Sequence, residues 1–129
     1  MNTVYPELIL HQFVYESDEW ARLLTFLKQE NVFYKSRLAE VVNNVDDENI
    51  VAEAEKFNED FLSQDRIIDF LTDELESHNK LLQQEWYLDD DLLKDVIRHQ
   101  KKLRVDVEKA EEFFSGTKKN FSGFLNSLL

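Results

Sequence analysis

Residues 93–128 read LKDVIRHQKKLRVDVEKAEEFFSGTKKNFSGFLNSL, and apolar side chains recur in this stretch at alternating steps of three and four residues. The positions in the series are Leu93, Val96, Gln100, Leu103, Val107, Ala110, Phe114, Thr117, Phe121, Phe124 and Leu128. This spacing keeps side chains on one side of an α-helix, and its persistence along the whole stretch is typical of helices that pack lengthwise against one another.

The same spacing runs through two earlier stretches of the chain, residues 10–45 and 50–85. We call the three series of positions the seams; of their 33 positions, 26 are apolar when Tyr is counted, against 43% of the whole chain. Two Gly and one Pro leave few residues for the turns of a β fold. The sequence therefore predicts an all-α fold, an elongated antiparallel three-helix bundle with coiled-coil-like seams, and a single domain over residues 1–129.

Short polar segments separate the seams. Residues 43–47 read NNVDD and residues 89–91 read DDD, and both segments combine turn-forming residues with acids that suit a helix N-terminus. We expect helices over about residues 6–45, 47–87 and 90–128. Connections of a few residues make neighbouring helices antiparallel.

Two positions could divide the first and third helices. Ser17 precedes two acids, as a helix N-cap does, and Gly116 could end a helix. A break at either position would leave a short extra N-terminal or C-terminal helix. The seams keep their phase through both positions. One Gly inside a helix costs only about 1 kcal/mol, so a continuous third helix is favoured, whereas a break near Ser17 stays open as an alternative.

Composition excludes several classes of function. The formal net charge is −12, which argues against binding to nucleic acid or to anionic membranes, because both rely on Lys and Arg. The chain has no Cys, and hence neither disulfides nor thiol chemistry. The first residues do not combine a basic region with a long apolar one, so no secretory signal is expected, and no run approaches the ~20 apolar residues of a membrane span. We expect a cytoplasmic protein.

Polar residues interrupt the seams at matching levels. When the chain is folded back at turns near residues 46 and 88, Asn31 lies level with Gln64, and Gln64 lies near Thr117. In the same way His78 falls level with His99 and Gln100. These residues are predicted to form two buried polar layers, which either fix the register of the helices or form a binding site.

A metal- or small-ligand-binding bundle is the alternative function suggested by these layers. His78 follows Glu74 by four residues, and His99 follows Asp95 by four, so each histidine shares a helix face with a carboxylate. The di-iron carboxylate bundles instead use Glu and His three residues apart. No metal or cofactor is therefore expected, and these four residues are kept as the alternative site.

Carboxylates are abundant, but they form no recognisable catalytic set. Asp65, Asp69 and Asp73 form an acidic column, interpreted as a solvated face of the second helix. A nucleophile elbow, a phosphate-binding glycine-rich loop and a zincin motif are all missing from the sequence. We therefore expect a protein that is not an enzyme.

Four apolar residues lie beside the seams instead of on them: Leu23, Phe26, Phe33 and Phe70. Packing against two neighbours widens the apolar face of a helix and can account for Leu23. Phe26 and Phe33 lie farther round the first helix, where surplus aromatic side chains indicate an interface or a covering segment of the same chain. The sequence thus favours a structural or adaptor protein that binds a protein partner or itself, as a homodimer.

Overall fold

The computed structural model describes residues 6–129 and consists of three long α-helices. Helix α1 spans Pro6–Asn44, α2 spans Glu48–Leu82 and α3 spans Asp90–Ser127, and a short 3₁₀ helix, Trp86–Leu88, precedes α3. Over this range there is no β-strand, so the predicted three-helix bundle is confirmed. The 39 residues of α1 extend about 58 Å at ~1.5 Å per residue. No helix in the described range has the length and apolarity required to cross a membrane.

The second and third helices begin at the acids predicted to cap them. The Asp47 side chain accepts a hydrogen bond from the backbone N–H of Asn49. The Asp89 carboxylate accepts from the N–H groups of Asp91 and Leu92, at 2.9 and 3.1 Å. These bonds satisfy N–H groups that have no partner inside the helix, so the polar segments fix where α2 and α3 start.

Helix α2 ends at Leu82, five residues before the predicted end near Tyr87. The reason is Trp86, whose side chain is fully buried and donates from Nε1 to the carbonyl of Leu82 at 3.3 Å. Its ring stacks on Phe13 of α1, with the ring centroids 6.0 Å apart. A continued α-helix would place Glu85 on the seam, whereas the 3₁₀ turn exposes Glu85 and buries Trp86 in its place.

Neither candidate break interrupts a helix. Helix α1 runs through Ser17, and α3 runs through Gly116 and Gly123. The segments that could have formed short extra terminal helices are therefore continuous parts of α1 and α3. A Cβ at either glycine would meet no neighbouring atom within 4 Å, so the glycines lie on the surface and leave the packed seam intact.

The seams form the core. Within residues 7–129, Trp86 is the only buried residue that lies off a seam, and Glu85 is the only exposed seam position. Lys28 pairs with Asp69 and Lys35 pairs with Asp65, so α1 and α2 run antiparallel. Towards the far end of the bundle Phe121 packs edge-on against Phe61, with centroids 5.2 Å apart. Burial along one continuous line explains how helices this long remain aligned.

Candidate functional site

Phe26 and Phe33 are exposed on α1, as predicted, with 51% and 61% of their surfaces accessible. They lie seven residues apart, about 10.5 Å along the helix axis. The Phe33 ring contacts Tyr34 edge-on at a centroid distance of 5.6 Å, and Tyr34 stacks on Phe61 in the core. Burying a side chain of this size is strongly favourable, and a Phe that faces water forgoes most of that free energy. We call Phe26 and Phe33 the aromatic stripe.

The structure divides the predicted four-residue interface. Leu23 is half-buried and packs against the central apolar cluster, so it belongs to the core, as the packing of α1 against two helices requires. Phe70 is 56% exposed but lies on a different surface, at a groove between α2 and α3. Leu23 therefore stands apart from the aromatic stripe, and Phe70 belongs to a second exposed surface.

The α2–α3 groove is open to solvent and has a volume of about 450 Å³. Buried Leu71 and Ala110 contribute to its lining, and Ile67, Phe70 and Phe113 are its more exposed apolar residues. Within α3 the groove follows residues 106–113. The lining is predominantly apolar, as in protein sites that receive hydrophobic side chains.

The layer around Asn31 is held by hydrogen bonds to α2. Asn31 Nδ2 donates to the backbone oxygen of Phe61 and to Asp65 Oδ1, both at 2.7 Å. Phe61 and Asp65 bracket Gln64 in the sequence, so Asn31 lies at the predicted level of α2. Thr117 is buried on α3, as expected. Asn31 Oδ1 and both polar atoms of the Gln64 amide have no hydrogen-bond partner among the described residues, so this layer is only partly satisfied.

The acidic column of α2 is not simply a solvated face. Lys35 donates to Asp65 at 2.5 Å, and Lys28 donates to Asp69 at 2.9 Å, so α1 supplies cations to two of the column's three carboxylates. Burial of Asp65 disfavours its charged form, but hydrogen bonds from Lys35 and Asn31 outweigh that cost and lower its pKa below the usual value. The column therefore aligns α1 with α2.

The second predicted layer is a chain of hydrogen bonds between α2 and α3, which we call the histidine layer. His78 is buried, and its Nε2 lies 2.5 Å from Gln100 Oε1. His78 Nδ1 lies 2.9 Å from His99 Nδ1, and His99 Nε2 lies 3.5 Å from Glu74 Oε2. The layer thus contains His78, His99 and Gln100, as the sequence predicts, with Glu74 at its edge.

The neighbours of Gln100 determine which nitrogens carry protons. Gln100 Nε2 donates to the Phe13 carbonyl at 3.3 Å and to Glu16 at 3.4 Å, so its Oε1 must face His78. His78 Nε2 is therefore the donor, and Nδ1 of the neutral His78 ring accepts from His99 Nδ1–H. A second proton on His78 would place two N–H groups opposite each other.

These four nitrogens are consequently not arranged around a common metal position. Three of the imidazole nitrogens are used in hydrogen bonds within the layer, and His99 Nε2 faces the Glu74 carboxylate at 3.5 Å. Asp95 pairs with Arg98 at 3.4 Å on the surface instead of approaching the histidines. Within residues 6–129 there is no group of three or more His, Cys, Asp or Glu residues arranged to hold a metal ion. Of the predicted alternative set, His78, His99 and Glu74 lie together, whereas Asp95 does not join them.

Protonation of His78 should make folding depend on pH. Burial lowers the His78 pKa below 6.5, and the charge of His99 lowers it further, while the hydrogen bond to Gln100 partly opposes both effects. Below pH 6.5 the unfolded chain binds a proton that the folded protein does not, so the free energy of unfolding falls as pH falls. The slope is at most about 1.4 kcal/mol per pH unit.

Urea denaturation between pH 7.5 and 5.5 measures this slope. We expect His78→Gln to have a shallower slope than the wild type over that range. His11→Gln, which removes an exposed histidine, is the control and should keep the wild-type slope. Equal slopes in the wild type and His78→Gln would contradict the prediction.

Sequence reasoning missed three features of these surfaces. The first is the pairing of Arg104 with Glu16, in which two nitrogens approach the carboxylate at 2.7 and 2.8 Å and connect α3 to α1. The second is the use of the acidic column by α1. The third is the α2–α3 groove. Its shape depends on the distance between two helices, which the sequence does not give. The flanking positions of the seams carried a signal for both ion-pair sets, because such positions face neighbouring helices.

Comparison with known proteins found no matching family model, no matching curated protein and no matching solved structure.

Proposed function

We propose that this protein is a non-enzymatic helical bundle that associates with a second copy of itself through the aromatic stripe. The observation that supports this proposal is the exposure of Phe26 and Phe33 on one side of α1. Exposed aromatic side chains concentrated on one surface are typical of protein interfaces, where they supply much of the binding free energy. A cytoplasmic location is part of the same proposal.

Part of the aromatic stripe is held in place by the core. Phe33 rests against Tyr34, and the Tyr34 ring lies 5.8 Å from Phe121 in the core. An anchored side chain loses less conformational freedom on association than a mobile one, so more of its burial free energy contributes to affinity. A long rigid helix with two such side chains suits a structural or adaptor role.

Phe26→Asp combined with Phe33→Asp tests the proposal. We expect wild-type protein to have the mass of a dimer by light scattering after gel filtration, and the double variant to be a monomer. Helix content by circular dichroism should not change, because both residues are exposed. A double variant that still dimerises would overturn the proposal.

A matched control separates the stripe from general effects of added charge. Leu62 and Val105 are exposed to a similar degree on α2 and α3. Leu62→Asp with Val105→Asp adds the same charge elsewhere, and this variant should dimerise like the wild type. Loss of dimers in this control would show that net charge, and not the aromatic stripe, governs association.

A further inference from the structure

We propose that the α2–α3 groove receives the aromatic stripe of the second copy. This inference rests on the proposed function and names the surface that the stripe contacts. Phe70 at the groove is as exposed as the stripe residues themselves. Docking would bury all three Phe side chains in one contact, which a stripe-to-stripe contact would not do.

The dimensions of the two surfaces agree. Phe33 follows Phe26 by seven positions in α1, and on the α3 side of the groove Phe113 follows Asp106 by seven positions. Each separation corresponds to about 10.5 Å of helix. The stripe therefore spans the length of the groove, with one Phe at each end.

A charged residue lies at the matching position within each surface, and the two charges have opposite signs. Glu30 follows Phe26 by four residues and precedes Phe33 by three. Lys109 lies at the groove, four residues before Phe113 and three after Asp106. When the helices run antiparallel, with Phe26 near Phe113, Glu30 falls opposite Lys109.

Both charges are available for this contact. Neither Glu30 nor Lys109 forms an ion pair within the described part of the chain. Lys109 is exposed and Glu30 is half-buried beside the stripe. The protein has a net charge of −12, so a cation at the groove is the local feature that would attract an acid of the second copy.

The pairing of Glu30 with Lys109 requires α1 of one copy to run antiparallel to α3 of the other. Phe13 and Glu16 of α1 contact Gln100 and Arg104 of α3 in the same order, so α1 and α3 are parallel within one copy. An antiparallel contact between α1 of one copy and α3 of another therefore also sets the two bundles antiparallel. Because the stripe and the groove lie on different surfaces of one copy, the contact is heterologous, and a pair joined in this way leaves one stripe and one groove free for further copies.

Mixing two defective variants tests the docking directly. The stripe variant is Phe26→Asp with Phe33→Asp, and the groove variant is Phe70→Asp with Lys109→Glu. Each variant alone should dimerise at least about 100-fold more weakly than the wild type, because each lacks one of the two surfaces. An equimolar mixture should form a heterodimer by light scattering, since it contains one intact stripe and one intact groove.

The results distinguish this inference from the proposed function. A groove variant that dimerises like the wild type would overturn docking into the groove but leave association through the stripe intact. A stripe variant that dimerises, or a wild type that stays monomeric at all concentrations, would overturn both. Two monomeric variants that fail to associate when mixed would also overturn docking.

A charge exchange provides a second, milder test. Glu30→Lys or Lys109→Glu alone should weaken the dimer by about two- to fivefold, as expected for an exposed ion pair. The two changes in one chain should restore wild-type affinity, because the pair is re-formed with its signs exchanged. Additive weakening in the combined variant would contradict the pairing of Glu30 with Lys109.

Discussion

Trp86→Ala is expected to lower the free energy of unfolding by about 3–5 kcal/mol, the usual cost of removing a fully buried aromatic side chain. Trp86 lies among the buried side chains of Leu82 and Val96, and it stacks on Phe13. Its loss leaves a cavity between the end of α2, the start of α3 and the N-terminal part of α1. The melting temperature should fall by roughly 10–20 °C.

Leu88→Ala is the matched control, since Leu88 belongs to the same 3₁₀ helix and is 72% exposed. We expect this change to alter the free energy of unfolding by less than about 0.5 kcal/mol. Urea denaturation of both variants, followed by circular dichroism, measures the difference. Similar stabilities for the two variants would show that the buried indole does not secure the connection between α2 and α3.

Gln64→Leu is expected to stabilise the protein by about 1–2 kcal/mol. Gln64 is buried on the α2 seam, and neither polar atom of its amide has a hydrogen-bond partner in the described structure. A buried polar group without a partner costs about 1–3 kcal/mol, and Leu has a similar size. The register of α1 and α2 should persist, because Asn31 keeps its bonds to Phe61 and Asp65.

The same substitution at Gln100 should have the opposite effect. Gln100 is equally buried, but its amide bonds to His78, to the Phe13 carbonyl and to Glu16. Gln100→Leu would leave the buried His78 Nε2 without a partner, and we expect a loss of about 1–3 kcal/mol. Thermal denaturation of the two variants side by side measures the contrast. Destabilisation by Gln64→Leu as well would indicate that its amide is satisfied in solution.

The fold could be predicted from the sequence because its determinants are periodic. One line of apolar positions specifies each helix, and capping acids such as Asp47 and Asp89 specify where the next helix begins. Folding the chain back at its turns also placed His78 beside Gln100. Short connections leave little freedom of register, so counting residues was sufficient.

The surfaces were harder to predict because they depend on distances between helices. The sequence places Phe26, Phe33 and Phe70 off the seams, but it does not show that Phe70 faces a groove with α3. The end of α2 was misplaced for a related reason. Glu85 continues the spacing of the seam, and only the packing of Trp86 against Phe13 shows that a tighter turn is preferred.

The ion pairs flanking the seams also determine the handedness of the bundle. Three apolar seams fit equally well into two mirror-related topologies, with α3 on either side of the α1–α2 pair. In the mirror topology, Asp65 would no longer face Lys35, and Glu16 would no longer face Arg104. Surface ion pairs contribute little to overall stability, yet here they make one topology more favourable than its mirror image.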